Sequence, residues 1–316
     1  MAHALALGER SVGCTGNNPS VGCVIVKDDR IIGRGWTQAS GRPHAEAVAL
    51  TQAGDAATGS TVYVTLEPCA HHSERGPACA DLLLSARPTR VVIAAIDPDP
   101  RTAGGGIKKL RAAGIDVTTP VMEVEAKASM AGFFSRIERG RPFVTLKLAT
   151  SLDGAIALAD GTSRWITGEA ARARAHLERA RCDAILVGAG TLRADRPKLD
   201  VRLAGLEHRS PRRVVLGSSG APEGLEIIHH PSDIAELACN SLLIEGGAMT
   251  AASFLSAGLV DRLLLYRAPI LIGGGKPGIG DIGLGSLNDA HGKWRLLDTR
   301  MLGRDRLEVY ARSHQK

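Results

Sequence analysis

Short apolar runs alternate with amphipathic stretches through the first 140 residues, with lengths that suit strands and helices. The stretch VGCVIVKDDRIIGRGW predicts a β-hairpin with its turn at Asp28 and Asp29. HAEAVALTQAG has helical spacing, and Gly54 is a suitable stop. Further on, TVYVTLEP predicts a strand ending at Pro68, ACADLLLSA a helix, RVVIAAIDP a buried strand, and GIKKLRAAGI a helix ending at Gly114. This alternation predicts a layered α/β domain.

The alternation starts again after a charged helical connector, EVEAKASMAGFFSRIERGRP. A length of 316 residues favours two domains over one. We place the first domain at residues 1–140 and the second at residues 141–316. The strands predicted in the second domain are FVTLKLA, AILVGA, RRVVLG, SLLIEGG and RLLLYRAPIL, with helices between several of them. The second half is therefore also predicted to be an α/β domain.

Composition and charge narrow the class of protein. Apolar residues make up 44% of the chain and charged residues 23%, which is ordinary for a globular protein with a sizeable core. No apolar run reaches the roughly 18 residues of a membrane span and no signal peptide opens the chain, so we expect a cytoplasmic protein without a membrane partner. The net charge of +6 suits anionic small molecules or nucleic acid, but aromatic residues at 3% leave few side chains for base stacking.

Three residues in the first half have the chemistry of a metal site. Six cysteines are too few and too scattered for a disulfide framework, so a close pair with a histidine favours metal binding. The candidates are His44 in PHAE, Cys69 in EPC and Cys79 at the start of a predicted helix, whose N-terminus would favour a thiolate. A catalytic zinc takes three such ligands and keeps one position open. Glu46 would lie near the metal and move a proton from water to a leaving amine.

Each of these residues also has an ordinary structural explanation. Cys69 and Cys79 could be small buried residues and His44 a helix cap, and for any one alone that explanation is the better one. Together they follow the order H-x-E, P-C, C, and H-x-E…P-C-x-x-C is the signature of zinc deaminases that act on nucleobases. Here nine residues, not two, separate the cysteines. His71 and His72 lie in that insertion as rival ligands, although a thiolate at Cys79 suits zinc and completes the order.

Two glycine-rich stretches in the second half are candidates for a nucleotide site. A literal G-x-G-x-x-G at Gly273, Gly275 and Gly278 is not followed by a helix pattern, so we interpret it as a mobile glycine loop. In LLIEGGAMTAASFL a strand ends at Glu245, two glycines allow a tight turn, and a helix is predicted from about Thr250. Its free N–H groups would suit a pyrophosphate. A plain strand-to-helix turn explains that stretch equally well.

Longer motifs resemble the bifunctional deaminase/reductase family of riboflavin biosynthesis. GNNPSVGCVIV, GRPHAEAVAL and TLEPCAHHSERGPACADLLL are similar to its deaminase half. FVTLKLATSLDGAIA, GTSRWITG, DAILVGAGTLRADRPKLDVRL and LLIEGGAMTAASFLSAGLVDRLLLYRAPILIGG are similar to its reductase half. The resemblance spans essentially the whole chain. It implies a cytidine-deaminase-like three-layer α/β domain with a mixed sheet, then a dihydrofolate-reductase-like α/β domain that uses NADPH, in a homo-oligomer (a dimer or tetramer).

The resemblance also implies roles for individual residues. Asn18 would hold the pyrimidine. Departures from the family pattern are Ala155, where Lys or Arg is usual, and Arg196, where a second Asp is usual. The implied NADPH contacts are Ala149, Trp165, Thr191, Asp195, Ser218, Gly247, Ala248, Met249, Thr250, Ala251, Ala252 and Ser253. The implied contacts to the ribosyl phosphate substrate are Ser163, Arg179, Leu199, Arg202 and Glu245, among which the arginines suit a phosphate by two-pronged hydrogen bonding.

The resemblance predicts an enzyme for two consecutive steps of riboflavin synthesis, with Zn²⁺ and NADPH as cofactors. The first step would be hydrolytic deamination of 2,5-diamino-6-ribosylamino-4(3H)-pyrimidinone 5′-phosphate, a small phosphorylated pyrimidine, and the second would reduce the ribosyl group to ribityl. One alternative is a nucleic-acid-editing zinc deaminase with an RNA-binding second domain, which the basic charge permits and the sparse aromatics oppose. Another is a zinc-binding scaffold without catalytic activity.

Overall fold

The computed structural model describes residues 1–71, 74–218 and 224–313. The chain forms two compact units, Met1–Gly140 and Arg141–Lys316. The first unit contains the helices α1 (Ala2–Gly8), α2 (Ala45–Ala53), α3 (Cys79–Ala86), α4 (Gly105–Ala112), α5 (Glu123–Ser129) and α6 (Ala131–Arg139). Its strands are β1 (Gly22–Lys27), β2 (Arg30–Trp36), β3 (Thr61–Leu66), β4 (Arg90–Ala95) and β5 (Asp116–Thr118).

The first unit is built on a mixed sheet with the strand order β2-β1-β3-β4-β5. Strand β1 is antiparallel to β2 and β3, whereas β3, β4 and β5 run parallel. The β1–β2 hairpin confirms the predicted turn, because Asp28 and Asp29 both have positive φ angles of 48° and 57°. Two residues in this conformation match the right-handed twist of the strands, and aspartate tolerates it better than most residues.

Helices cover both faces of this sheet, which gives three layers. Gly22 in β1 is paired with Trp36, so Gly35 next to Trp36 points to the opposite face. A Cβ atom added to Gly22 would lie 1.8 Å from the carbonyl oxygen of Ala4 in α1, and one added to Gly35 would lie 2.1 Å from that of Ala45 in α2. The two glycines therefore let α1 and α2 approach the strands from opposite sides. The predicted three-layer fold with a mixed sheet is confirmed.

The second unit is built on a larger sheet with the order β10-β9-β8-β11-β6-β12-β15-β14. Every neighbouring pair from β10 to β12 in this order is parallel. Strand β15 is antiparallel to both of its neighbours, β12 and β14. A separate two-stranded sheet joins β7 and β13. The strands are β6 (Phe143–Thr150), β7 (Ala155–Ala157), β8 (Ala184–Gly188), β9 (Arg212–Leu216), β10 (Glu226–Ile228), β11 (Ser241–Ile244), β12 (Arg262–Arg267), β13 (Lys276–Pro277), β14 (Trp294–Leu302) and β15 (Asp305–Arg312). The helices are α7 (Glu169–Ala180), α8 (Ala189–Asp195) and α9 (Ala248–Ser256).

The parallel arrangement brings the predicted site residues of the second unit to one edge of the sheet. Strands β8, β11, β6 and β12 are neighbours and run in the same direction, so the loops that follow them leave from a common edge. The core beneath them contains Leu146 of β6, Leu186 of β8, Ile244 of β11 and Phe254 of α9, all fully buried. This packing fixes the strands and therefore the starting points of the loops.

Some elements differ from the sequence-based expectation. The charged connector consists of two helices, α5 and α6, because Met130 between them leaves the helical conformation at φ −111° and ψ 24°. Helix α9 begins at Ala248, two residues earlier than expected. The short strands β5, β7, β10 and β13 and the β14–β15 hairpin were not predicted. None of the helices within the described ranges has both the length and the apolar character needed to cross a lipid bilayer.

Candidate active sites

His44, Cys69 and Cys79 form a compact cluster at the edge of the first sheet. His44 is the N-cap residue of α2, Cys69 lies three residues after β3, and Cys79 is the first residue of α3. The Nδ1 atom of His44 lies 3.2 Å from Sγ of Cys79 and 3.7 Å from Sγ of Cys69. Ligand atoms held tetrahedrally at the usual Zn–N and Zn–S distances lie roughly 3.5–3.8 Å apart. The three side chains therefore fit a single zinc ion.

The two thiols of the cluster differ in acidity. The hydrogen bond between the cysteines lowers the pKa of Cys69 to about 4, and the same bond raises the pKa of Cys79 well above its usual value. The backbone N–H of Cys79, at the N-terminus of α3, also donates to Sγ of Cys69 at 3.2 Å. The first N–H of α3 is therefore directed at the sulfur of Cys69, and a thiolate at Cys79 stays a prediction.

Glu46 lies in the first turn of α2 and is almost completely buried, at 3% exposure. Burial raises the pKa of its carboxyl group, and His44, Cys69 and Cys79 all act on that pKa, so the carboxyl group lies beside the cluster. A buried carboxyl group beside the cluster is suited to take up a proton and return it during a reaction. Glu46 is not one of the three grouped ligand residues, which agrees with a proton-transfer role.

Of the two competing histidine ligands between Cys69 and Cys79, the structure describes only His71, and this residue is not part of the metal cluster. The Nδ1 atom of His71 is 3.1 Å from Oγ1 of Thr102 and is not grouped with the cysteines. His72 lies outside the described residues. Asn18 packs against Gly41, in the loop that leads to His44, and its side-chain amide donates to the carbonyl oxygen of Thr15 at 3.3 Å.

Glu67, two residues before Cys69, is a supporting residue that sequence reasoning did not identify. Its buried carboxylate accepts hydrogen bonds from the backbone N–H groups of Asp97, Gly104 and Ile107, at 3.3, 2.9 and 3.1 Å. These bonds tie the loop after β3 to the loop after β4 and to the start of α4. Glu67 thereby fixes the position from which Cys69 enters the cluster. The signal in the sequence was an acidic residue at the end of an apolar strand.

Two further acidic residues at this edge were missed. Asp97 and Asp99 follow β4, at 7% and 6% exposure, and Asp99 is paired with Arg101. Burial raises the pKa of Asp97 to about 7, and the charge of Cys69 adds to the increase. The two aspartates therefore lie on the same side of the sheet as the metal cluster. The run IDPDP directly after a buried strand could have indicated them, since loops at this edge carry the sites of α/β sheets.

In the second unit, Glu245 is the centre of a buried charge cluster. Its carboxylate accepts hydrogen bonds from Nε and Nη2 of Arg179, at 2.7 and 3.0 Å, and lies 3.5 Å from Nζ of Lys147. Burial works to raise the pKa of Glu245, but the charges of Lys147 and Arg179 outweigh it and lower the pKa to about 2. Arg179 also donates to the carbonyl oxygen of Asp200 at 3.0 Å. The structure brings together Arg179 and Glu245, and adds Lys147, which was not among the expected site residues.

The expected NADPH residues around α9 meet α8 at the same edge. The N–H of Gly247 donates to Oγ1 of Thr191 at 3.2 Å, which joins the turn after β11 to α8. In α9 the side chains of Thr250, Ala251 and Ala252 are buried, whereas Met249 is 78% exposed. The first-turn N–H groups of a helix have no partner within the helix. Any contact from this turn to a cofactor therefore comes mainly from the backbone.

The other expected site residues lie elsewhere in the second unit. Trp165 is 65% exposed, and the guanidinium group of Arg172 lies 4.8 Å from the centre of its ring. The side chain of Leu199 is buried in a core with Ile185 and Leu243, so only its backbone can face a ligand. The remaining expected residues are Ser163 in the β7–α7 loop, Asp195 at the end of α8, Ala149 in β6, Ser218 after β9, Arg202 beside Asp200, and Ser253 in α9.

The glycine motif at Gly273, Gly275 and Gly278 does not open a helix. The two residues Lys276–Pro277 form strand β13, and the segment continues as a loop. The interpretation that this is not a dinucleotide-binding βαβ motif is confirmed.

Two models of known protein families match different parts of the chain. The family model described as "Cytidine and deoxycytidylate deaminase zinc-binding region" matches residues 1–95, and the model "RibD C-terminal domain" matches residues 142–238 and 231–307. The riboflavin biosynthesis protein RibD of Aquifex aeolicus is 37% identical, with 99% of this chain and 97% of that protein covered. RibD of Escherichia coli is 38% identical, with 96% of each chain covered.

Solved structures agree with these relatives. A diaminohydroxyphosphoribosylaminopyrimidine deaminase/5-amino-6-(5-phosphoribosylamino)uracil reductase from Thermotoga maritima superposes with a TM-score of 0.90 at 32% identity, covering 99% of this chain and 97% of that one. RibD of Acinetobacter baumannii superposes with a TM-score of 0.87 at 35% identity, with the same coverage.

Fold and site together define a two-domain enzyme in which a zinc deaminase is joined to a reductase. The chain belongs to the RibD family of riboflavin biosynthesis proteins. It is a bifunctional enzyme, a hydrolytic deaminase that uses zinc and an NADPH-dependent oxidoreductase. The nucleic-acid-editing alternative is not favoured by these relatives.

Proposed function

We propose that the enzyme deaminates 2,5-diamino-6-ribosylamino-4(3H)-pyrimidinone 5′-phosphate and then reduces the ribosyl group of the product to ribityl. The observation that carries the first step is the His44, Cys69 and Cys79 cluster with the buried carboxyl group of Glu46 beside it. The name of the T. maritima relative, which states a deaminase and a reductase for substrates of this kind, supports the same order of steps.

In the deaminase site, the proposed roles of the residues follow from their chemistry. When bound, zinc lowers the pKa of water and supplies hydroxide at neutral pH. His44, Cys69 and Cys79 are its proposed ligands. Glu46 takes a proton from the attacking water and returns it to the amine that leaves from C2 of the pyrimidinone, so the carboxyl group is restored at the end of each turnover. Asn18 is proposed to hold the pyrimidine, and its contact with Gly41 places it against the loop that leads to His44.

In the reductase site, the proposed ligands lie around the edge formed by β6, β8 and β11. When bound, NADPH supplies a hydride to C1′ of the ribosyl group. Glu245, held by Arg179, accepts hydrogen bonds from sugar hydroxyls, and the exposed Arg202 binds the phosphate. Holding the two reactants in the correct orientation can lower a barrier by ~7–11 kcal/mol, and we propose that orientation is the main contribution here.

The remaining proposed cofactor contacts follow the turn of α9 and the loops beside it. They are the residues Ala149, Trp165, Thr191, Asp195, Ser218, Gly247, Ala248, Met249, Thr250, Ala251, Ala252 and Ser253, with Ser163 and Leu199 on the substrate side. The Gly247–Thr191 hydrogen bond supports a shared site for α8 and α9. A Lys147→Met variant that bound both ligands but transferred no hydride would contradict orientation as the main contribution.

We further propose a cytoplasmic homo-oligomer (a dimer or tetramer) that acts on a small molecule and not on nucleic acid. Six free cysteines support a reducing compartment. The outermost strand β14 supports self-association, because Leu296, Leu297 and Met301 are about half exposed or more, at 52%, 49% and 65%. Light scattering of the wild type and of Leu297→Lys tests this: the variant should have a lower mass, and a monomeric wild type would exclude the oligomer.

The sequence of reactions is tested by incubating the protein with the diaminopyrimidinone phosphate, with and without NADPH. Ammonia should be released in both cases, and NADPH should be oxidised only after deamination. Ammonia from structured RNA, with none from the pyrimidine phosphate, would favour the editing alternative. Absence of any turnover, with zinc bound, would favour the scaffold.

A further inference from the structure

The glycine-rich segment after β12 has no role in the two reactions described so far. Residues 270–280, here called the glycine strap, read ILIGGGKPGIG. Glycine loses more conformational freedom on folding than any other residue, so a run such as Gly273, Gly274 and Gly275 keeps one conformation only if its surroundings hold it. The contacts that hold the strap therefore indicate what it does.

One edge of the strap is attached along the turn between β6 and β7. The N–H of Leu152 donates to the carbonyl oxygen of Ile270 at 2.8 Å, and the N–H of Gly278 donates to that of Gly154 at 2.9 Å. Between these points, β13 in the strap pairs with β7. A Cβ atom on Gly275 would lie 2.4 Å from the carbonyl oxygen of Ala157, so the close approach requires glycine there.

Asp153 contacts the strap through its side chain, at the start of the glycine run. Its carboxylate accepts hydrogen bonds from the N–H groups of Ile272, at 3.2 Å, and Gly273, at 2.7 Å, immediately before the glycine run. Hydrogen bonds from Ser151 and Gly273 lower the pKa of Asp153 to about 2, which favours the ionised carboxylate that accepts these bonds. The hydrogen bonds of Ile270 and Gly278 and the β7–β13 pairing join backbone groups, which substitution does not remove, whereas the side-chain contact of Asp153 can be removed.

The far end of the strap reaches helix α9. The N–H of Gly280 donates to the carbonyl oxygen of Ala248 at 3.1 Å, and a Cβ atom on Gly280 would lie 3.3 Å from Sδ of Met249. The strap thus runs from the end of β12, past the turn after β6, to the first turn of α9 after β11. Because β12, β6 and β11 are parallel neighbours, this path crosses the edge of the sheet where the reductase site lies.

We propose that the glycine strap forms one wall of the NADPH site and that Asp153 is the positioning residue that holds this wall in place. The inference rests on the proposed cofactor contacts in the first turn of α9. Because Asp153 is proposed to act through the strap, it should affect NADPH binding more than hydride transfer. In Asp153→Ala the KM for NADPH should rise about tenfold, while kcat at saturating NADPH should change less than twofold. Asp153→Asn keeps one acceptor oxygen and should fall between the wild type and Asp153→Ala.

The matched control is Asp233→Ala. The carboxylate of Asp233 also accepts two consecutive backbone N–H groups, from His229 at 3.0 Å and His230 at 2.8 Å, in the same unit. It therefore reproduces the loss of a turn-stabilising carboxylate without touching the strap. Its KM for NADPH should equal that of the wild type. If both variants raise this KM equally, Asp153 acts on general stability and the proposal fails.

Hydrogen–deuterium exchange of the full chain without ligands gives a readout that does not depend on activity. In Asp153→Ala the amides of Ile272 and Gly273 should exchange at least tenfold faster than in the wild type, and in Asp233→Ala they should not. Unchanged exchange, or faster exchange with an unchanged KM for NADPH, would overturn the proposal. Adding NADPH to the wild type should protect Gly247–Ser253. Absence of that protection would refute the proposed cofactor site itself, whereas protection without an effect of Asp153→Ala would refute the strap alone.

Discussion

The guanidinium group of Arg179 donates two hydrogen bonds to the carboxylate of Glu245, at 2.7 and 3.0 Å. A third donor of Arg179 is used by the carbonyl oxygen of Asp200. The arginine is therefore engaged by the protein before any substrate arrives. We therefore propose that Arg179 orients Glu245 in the reductase site and that Arg202, which is more exposed, binds the phosphate.

Arg179→Lys should impair the reductase and spare the deaminase. A lysine keeps the positive charge but cannot reproduce the two-pronged contact, so Glu245 would lose its fixed orientation. We expect kcat/KM for NADPH-dependent reduction to fall about 100-fold, equivalent to ~2.7 kcal/mol. Ammonia release, measured on the same preparation, should be unchanged. Arg213→Lys, at an exposed position of β9, is the control. Loss of both activities would show that Arg179 acts through folding.

The ion pair between Arg179 and Glu245 predicts that the free energy of unfolding depends on pH. The pKa of Glu245 is lowered to about 2 in the fold, against about 4.5 in an unfolded chain, because Lys147 and Arg179 outweigh the effect of burial. A lowered pKa means that the stabilisation is complete above pH 4.5 and is lost as the pH falls towards 2. Below pH 4.5, the free energy of unfolding of the wild type should fall more steeply than that of Glu245→Gln, by up to about 1.4 kcal/mol per pH unit. Denaturant titrations at several pH values measure both slopes, and parallel slopes would contradict the assignment.

Cys69→Ser should remove the metal and the first activity together. Cys69 is a proposed zinc ligand whose hydrogen bonds lower the pKa of its thiol, and serine is a poor replacement for a thiolate ligand. Zinc content measured by elemental analysis should fall well below one per chain, and ammonia release should be lost. Reduction of a supplied deaminated pyrimidine should continue. Cys14→Ser is the control, because Cys14 lies in the same unit but outside the cluster. Full zinc content in Cys69→Ser would exclude this residue as a ligand.

Glu46→Gln should separate metal binding from catalysis. Glutamine has the same shape but cannot carry a proton between water and the leaving amine. We expect zinc content to stay at the wild-type value while the deaminase kcat falls by ~10²–10⁴, the usual contribution of a general acid–base group. If turnover were retained, the proposed proton transfer by Glu46 would be wrong.

The parts of the sites that were predictable lie close together in the sequence or follow directly from a turn. The Asp28–Asp29 hairpin depends on two adjacent residues, and PHAE places His44 and Glu46 within one helix turn. The direction of the Cys79 N–H was not predictable, because it depends on how the loop after Cys69 folds back onto α3.

Longer-range features required the sheet itself. Arg179 and Glu245 are 66 residues apart in the sequence. They meet because the last turn of α7, which contains Arg179, lies next to the end of β11, which Glu245 follows directly. The β14–β15 hairpin was missed because β14 is exposed along most of its length, so it lacks the alternation of buried and exposed residues that marks a strand. Lys147 was not among the expected site residues, since its position in β6 gives no indication of Glu245 in a neighbouring strand's loop.

The start of the second unit contains an ion pair whose loss should destabilise that unit strongly. Arg141 donates to both carboxylate oxygens of Asp261, at 2.7 and 2.8 Å, and the N–H of Val144 donates to the same carboxylate at 2.8 Å. Asp261→Ala would leave a largely buried guanidinium group and a buried N–H without this acceptor, which should cost ~3–5 kcal/mol in the free energy of unfolding. Glu226→Ala breaks an exposed pair with Arg212 and should cost under ~1 kcal/mol. Denaturant unfolding of both variants measures the difference, and equal costs would show that burial of the Asp261 pair does not determine its contribution.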